Sequence, residues 1–527
     1  MPQPFLLNFP PGVQRDGTSI DSPTYQAGLW CRWRQGKPRK IGGYRQITDT
    51  IAGLPKRMHA FYRGDEVIVH VGTSNGVQQI IFDMYGNLIS VNDRTPTGTF
   101  QAGVNVGWTF DAIFDTTSKV VQLVAHSIPD NTSLASSIQT VPYIGQIDGS
   151  NPLIQFGNPG TLSAGGVWTQ PNVSGGVVCV QPFVFAFDNA GLVEWSAPAL
   201  PLYLGVVGGP SGAGQARISA QKIVAGIALR GGGAQSPAAL FWSLSEVITA
   251  TFVGTTAGEF AFNTVSPSSS ILSNASVIEY DGLYFWAGID RFLVFNGTVN
   301  EVRNDFNQDF FYDNLTPGYE TLTFAFKVPR YGEIWWCAAM FGSTVPNWAI
   351  IYNLRMNCWY DTPLPDGGRG AGYHAQGFNY PIMADTVNDG NGFGLWMHEY
   401  GMDKLIGTAR TAIRSYFETG WMGGPVNPQP QDSGLSFQQL EADLLQTGDM
   451  TAYIIGQANP RAPQNSGTPK PLLQTPGVPQ EQMVSFKETF SLRYMKLHIE
   501  SNVIGGNYVW GRSMGRGDAS GDSRVVS

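Results

Sequence analysis

The sequence predicts an all-β fold: a ring of small sheets over most of the chain, and a second β-rich unit made from its two ends. Three observations carry this. The first is residues 279–297, Glu-Tyr-Asp-Gly-Leu-Tyr-Phe-Trp-Ala-Gly-Ile-Asp-Arg-Phe-Leu-Val-Phe-Asn-Gly, which read as strand, turn, strand. Segments 283–286 and 292–295 are too apolar to have a wet face, so they belong between neighbouring sheets. Asp281-Gly282 and Asn296-Gly297 are turn signals, and Asn-Gly is expected to form a type I′ turn because both residues tolerate positive φ. The second is residues 59–91, where four short strands (59–63, 67–72, 77–82, 88–91) alternate with turns. The third is composition: 14% charged residues against about 25% in a typical domain, with 64 Gly, 14 Trp, 20 Tyr and 30 Phe. Few charges with many turns and aromatic rings suit stacked four-stranded units, the pattern of a β-propeller of about six blades.

At 527 residues the chain is too long for one ordinary domain. Residues 1–50 form a lead-in in which Pro4, Pro10, Pro11 and Pro23 exclude helix. Residues 29–45 then read as strand, turn at Gln35-Gly36, strand, turn at Gly42-Gly43. The propeller is expected over 51–404. Its second unit holds strands 108–114 and 120–126, its third 177–180, 183–187 and 192–195, its fourth 223–229 and 240–244. The opening hairpin is the fifth. Strands at 322–326, 333–340, 348–353 and 358–360 make an aromatic sixth. Segments 375–383 and 394–398 either finish a blade or close the ring with N-terminal strands. Residues 127–175 and 456–482 are long loop insertions. Val302, Phe306, Phe310 and Phe311 recur at helical spacing and predict one short helix. Over 405–527 the pattern changes. Residues 437–445 fit helix or strand, and the turn at Thr447-Gly448-Asp449 favours a hairpin. The tail from Arg512 is small and polar, unordered unless docked.

The net charge of −8 argues against a surface that traps nucleic acid, though not against DNA passing an acidic wall. No apolar run reaches the ~18–20 residues of a membrane span, and the first residues lack signal-peptide features. Cys31, Cys179, Cys337 and Cys358 are far apart, as expected of buried free thiols made in a reducing cytoplasm, with a Cys337–Cys358 disulfide as the alternative. None of the six histidines stands at metal-ligand spacing, so no metal or cofactor is expected. Asp281, Asp290, Asp361, Asp385 and Glu399 are the carboxylates to weigh for glycoside hydrolysis, which needs a pair about 5–10 Å apart. The aspartates other than Asp385 read as turn residues. With no nucleophile elbow and no phosphate-cradling loop, an enzyme is not expected.

One charged feature rises above background: Arg32, Arg34, Lys37, Arg39, Lys40 and Arg45, uninterrupted by any acid and interleaved with Trp30, Trp33 and Tyr44. Three readings stand: a solvated edge strand kept from aggregating, an interface with another subunit or partner, and contact with a DNA backbone.

The run Arg34-Gln35-Gly36-Lys37-Pro38-Arg39-Lys40-Ile41-Gly42-Gly43-Tyr44, the aromatic hairpins, the segment from Asn304-Asp305-Phe306 to Asn314, and the closing Ser501-Asn502-Val503-Ile504-Gly505-Gly506 together resemble the tail nozzle, or packaged-DNA stabilisation, proteins of short-tailed bacteriophages. The resemblance implies a homohexameric virion tube. Residues 1–50 and 405–527 would form a platform under an adaptor ring, and a propeller from each subunit would surround the lower channel. Tail fibres or a tailspike, and a plug or needle, would be further partners, with transient non-specific contact to double-stranded DNA and no membrane insertion. Such a protein is made in the host bacterial cytoplasm and resides in the virion tail. The alternative is a glycan-binding propeller that recognises a receptor.

Overall fold

The computed structural model describes residues 3–18, 20, 22–97, 100–103, 105–116, 118–129, 141–156, 173–204, 212–230, 237–255, 258–422, 434–477, 483–486 and 491–520. Parts of the two loop insertions, 130–140, 157–172 and 478–482, lie outside them. Among the described residues, seven sheets follow one another along the chain, antiparallel throughout except where Asp403–Ile406 runs parallel to Tyr44–Ile51 in the seventh. Their first strands are Pro55–Tyr62, Asn105–Asp115, Val173–Val180, Ile223–Ala228, Ile278–Tyr280, Phe324–Val328 and Arg369–Tyr373. All seven contribute to the wall of one axial cavity, so the sheets radiate as the blades of a β-propeller.

The seventh sheet explains the difference from the expected six. Arg369–Tyr373, Ile382–Asn388 and Phe393–His398 supply three strands, and Tyr44–Ile51 adds the next, antiparallel, with Tyr44 opposite His398. A blade split between the chain's beginning and its later part has no continuous signature. The last strand of the lead-in is therefore a propeller strand, and it shuts the ring through backbone hydrogen bonds.

Blades stack through aromatic side chains, as the apolar strands predict. Trp242 meets Trp286 edge-on at 5.4 Å, and Phe292 sits 4.8 Å from Trp336 and 4.7 Å from Trp359. Such pairs add about 0.5–1.5 kcal/mol each beyond the area they bury. In the hairpin 279–297 the type I′ geometry belongs to Asp281-Gly282, with φ of 50° and 81°. At Asn296-Gly297 only the glycine has positive φ, because Phe295 pairs with Val299 and the turn has three residues rather than two.

The chain ends interweave. Gln3–Leu7 pairs with Ser513–Ser520, which pairs with Gly434–Glu441. Ala27–Leu29 joins Ser415–Glu418, Tyr494–Ser501 and Met450–Gln457. Cys31–Arg34 and Lys37–Lys40 join Asn507–Trp510 and Leu444–Thr447. The ambiguous stretch 437–445 is thus strand on either side of Ala442-Asp443, but the expected hairpin across Gly448 does not form: Leu444–Thr447 pairs with Asn507–Trp510 and Met450–Gln457 with Tyr494–Ser501, in different sheets. Ser513–Ser520 of the polar tail is docked as a strand. One core runs unbroken from Trp33, Phe417 and Trp510 in these sheets to Trp335, Tyr360 and Trp396 in the propeller. The predicted helix is Gln308–Asp313; Asp16 of the lead-in accepts the N–H groups of Asp309 (2.9 Å) and Phe310 (2.7 Å). All four cysteines are buried and free. Among the described residues, no helix is long and apolar enough to cross a membrane.

Candidate functional site

The basic stretch folds into a tight hairpin. Gln35 and Gly36, at φ 55° and 74°, form its turn. Register sets Arg32 opposite Arg39 and Arg34 opposite Lys37; Cys31 faces Lys40 and Trp33 faces Pro38. Side chains alternate between faces along a strand. One face therefore carries Arg32, Arg34, Lys37 and Arg39, and the other carries Cys31, Trp33, Pro38 and Lys40. The six cations meet four different fates.

Lys40 lies on the core face, 4% exposed, and among the described residues its Nζ has no hydrogen-bond partner. Burial pulls its pKa down to about 8, with the Asp403 carboxylate offsetting only part. Arg45 lies in the closing strand. It donates to the Tyr85 carbonyl and to Asn87 Oδ1, each at 2.7 Å, and so ties the seventh blade to a turn of the first.

Arg32 is 1% exposed and is the centre of a buried ionic seam. Its Nε lies 3.0 Å from Glu333 Oε1. Nη1 donates to Glu399 Oε2 at 2.9 Å, and Nη2 donates to Glu399 Oε1. Glu333 also accepts from the Tyr360 hydroxyl (2.6 Å) and from Trp335 Nε1 (2.9 Å). Burial alone would lower the Arg32 pKa, but the two carboxylates overcome it and raise it. For Glu333 burial wins: its pKa is raised although Arg32 pulls the other way. Hairpin, sixth blade and the turn after the seventh blade are locked together at this one guanidinium.

Arg34 and Lys37 are exposed and Arg39 is half-buried. They are joined by Arg330, which sequence reasoning missed because it is far away in the chain, in the turn between Phe324–Val328 and Glu333–Ala338. Arg32, Arg34 and Arg330 surround the Tyr331 ring at 3.7, 5.8 and 5.4 Å. Burial lowers the Arg39 pKa, and Arg34, Arg32 and Arg330 add to the lowering. Among the described residues no ion pair engages Arg34, Lys37, Arg39 or Arg330. This is a surface of uncompensated cations around one aromatic ring, able to receive an acidic or phosphate-bearing surface.

The five weighed carboxylates are dispersed. Glu399 belongs to the seam. Asp361 lies within the strand Cys358–Pro363, not at a turn; both its oxygens meet Arg15 at 3.0 Å, and Trp348 Nε1 donates to it at 3.2 Å. Asp385 accepts from the Gly394 N–H (2.7 Å) and Trp396 Nε1 (2.8 Å). Asp290 is exposed beside Arg291. Asp281 stands in its turn at the wall of the axial cavity. That cavity measures about 580 Å³, and in it Glu279 engages Lys327 at 2.9 Å and Arg230 at 3.3 Å.

No family model matches the sequence, and no curated protein matches it. Among solved structures, a chain of a crystal structure of the mitotic checkpoint complex is similar at 9% identity and a TM-score of 0.38, covering 68% of this chain and 96% of that one. A likeness this loose carries no argument, and the propeller is read from the chain's own sheets.

Proposed function

We propose that this chain is a virion structural protein, the subunit of a tail nozzle ring that retains packaged DNA and conducts it during ejection. The observation that carries the reading is the seam. Both chain ends are woven into one β-unit, and buried Arg32 bolts that unit to the propeller through Glu333 and Glu399. A wall element under load has use for such a rigid joint. The resemblance of the basic hairpin and the closing 501–506 segment to tail nozzle proteins supports the same reading. So does the engagement of Asp361, Asp385 and Glu399 in internal bonds, which favours a structural rather than catalytic role.

In this reading subunits meet through two different patches and close into a ring, a hexamer by resemblance. The cationic face around Tyr331 docks an acidic neighbour, while DNA touches the channel only transiently. An adaptor ring lies above, and fibres or a tailspike and a plug or needle attach elsewhere. Light scattering and class-averaged micrographs of the purified chain test this: a closed ring is expected. A strict monomer, with no density for the chain in the tube of a tail that contains it, sinks it.

The axial cavity favours a second reading, a glycan-recognising propeller, because aromatic and carboxylate side chains meet there. A glycan array probed with the full chain separates the two.

A further inference from the structure

The axial cavity holds a charge that neither the seam nor the cationic face uses. Its volume of about 580 Å³ falls within the range of small-ligand sites. Lys327 and Arg230 already share the Glu279 carboxylate. Arg57, on the first strand of the first blade, has no such partner. Among the described residues it makes one hydrogen bond, from Nη1 to the Ala275 carbonyl at 3.3 Å, and no ion pair. A guanidinium carries five N–H donors in a rigid fork. Protein encloses Arg57 on most sides, yet the residue stays half-buried and open to the cavity.

The acid of the next blade is committed elsewhere. Asp111 Oδ2 accepts the Cys179 N–H at 2.7 Å, and Oδ1 accepts the Ala112 N–H at 2.8 Å. Tyr373, whose phenol feels both Arg57 and Asp111, packs with its ring tilted against His59 at 5.2 Å. Burial holds His59 down to about 4, so it is neutral at neutral pH and does not repel an anion; among the described residues its Nδ1 has no hydrogen-bond partner. An enclosed cation without a counter-charge is costly, and the fork matches the two oxygens of a carboxylate or phosphate.

We propose that the axial cavity binds a small polar molecule through an oxyanion, carboxylate or phosphate, held by the Arg57 fork with Tyr373 and His59 beside it. This narrows the glycan reading and is independent of ring assembly, since a single subunit contains the whole site.

Calorimetric titration of the full chain with galacturonate, inorganic phosphate and galactose tests it. Binding of galacturonate, of phosphate or of both is expected, and galactose, which lacks the carboxylate, should not bind. Galacturonate alone identifies a carboxylate ligand, and phosphate alone a phosphate. Arg57→Gln should weaken the binding about ten- to hundredfold, and Arg34→Gln, outside the cavity, should not change it. If Arg57→Gln fails to fold, the comparison of ligands on the unmodified chain still decides. The proposal is overturned if neither oxyanion binds up to about 10 mM, if galactose binds equally well, or if folded Arg57→Gln binds like the parent. Light scattering on the same samples reports the ring separately.

Discussion

Replacing Arg32 with Met removes a guanidinium from the seam while keeping most of its volume. Two carboxylates stay behind, with side chains 0% (Glu333) and 6% (Glu399) exposed. Stranding one partner of a buried pair costs about 3–5 kcal/mol. Glu333 keeps its bonds from Tyr360 and Trp335, which places the expected loss near the lower end, about 3 kcal/mol. The loss should depend on pH in a definite direction. Burial raises the Glu333 pKa in the folded chain, and Arg32 is the strongest of the groups that pull it down, beside Tyr360 and Trp335; without Arg32 it rises further. A carboxyl whose folded pKa exceeds its unfolded value, about 4.3, binds more protons when folded. Its folded form therefore loses stability as pH rises from the unfolded pKa through the folded one. The deficit of Arg32→Met should be largest at about pH 7.5 and should shrink toward about pH 5, as Glu333 takes up a proton. Urea unfolding followed by tryptophan fluorescence at both pH values measures this. Transition midpoints are the quantity to compare, because a chain of this length need not unfold in two states. Adding Glu333→Gln to Arg32→Met should recover part of the loss. A variant that unfolds with the parent, or whose deficit is equal at both pH values, refutes the seam as described.

Lys40→Met should raise stability at neutral pH by about 1–3 kcal/mol. The folded pKa of Lys40, about 8, lies below its unfolded value of about 10.4, so the parent gains stability as pH rises through that window and the variant's advantage in thermal melts fades by about pH 10. A loss at neutral pH would mean that the ammonium is paired. Asp16→Ala removes the acceptor of two N–H groups at the start of the helix Gln308–Asp313; about 1 kcal/mol should be lost, with faster amide exchange at Asp309 and Phe310, and unchanged exchange there would reject the capping role. Reversing Arg34, Lys37 and Arg330 together to Glu should leave the melting midpoint nearly unchanged, since exposed positions contribute within about 0.5 kcal/mol each. It should abolish ring formation, and a ring of parental stability would remove this face from the interface.

How much of this was legible in the sequence differs from element to element. The hairpin 279–297 was legible because its determinants are local: an apolar strand, a two-residue turn able to hold positive φ, another apolar strand. The same holds for the Gln35-Gly36 turn, whereas the end strands Gln3–Leu7 and Ser513–Ser520 were not legible, because each is strand only by pairing across the length of the chain. The local character of the hairpin also limited the reading, since Asn296-Gly297 has the residues of a type I′ turn but a register that makes three residues of it. The seventh blade was only half legible, because Tyr44–Ile51 and its partner Phe393–His398 meet across the whole propeller. The site shows the contrast most sharply. Six cations stand within fourteen positions of one another in the sequence, and nothing in that run separates them. Alternation alone puts Lys40 opposite to Arg39, but only the packed neighbours decide what each face meets. Glu333 and Glu399 make Arg32 a bolt, Asn87 makes Arg45 a clasp, and Arg330 turns Arg34, Lys37 and Arg39 into a surface. The sequence by itself determined that this chain is β-sheet, where its turns lie and that its ends differ from its middle, because those follow from residues a few positions apart. Which charges are buried, how the ring shuts and where an unpaired arginine faces a cavity were decided by tertiary structure, because a charge's fate depends on partners brought near only by folding.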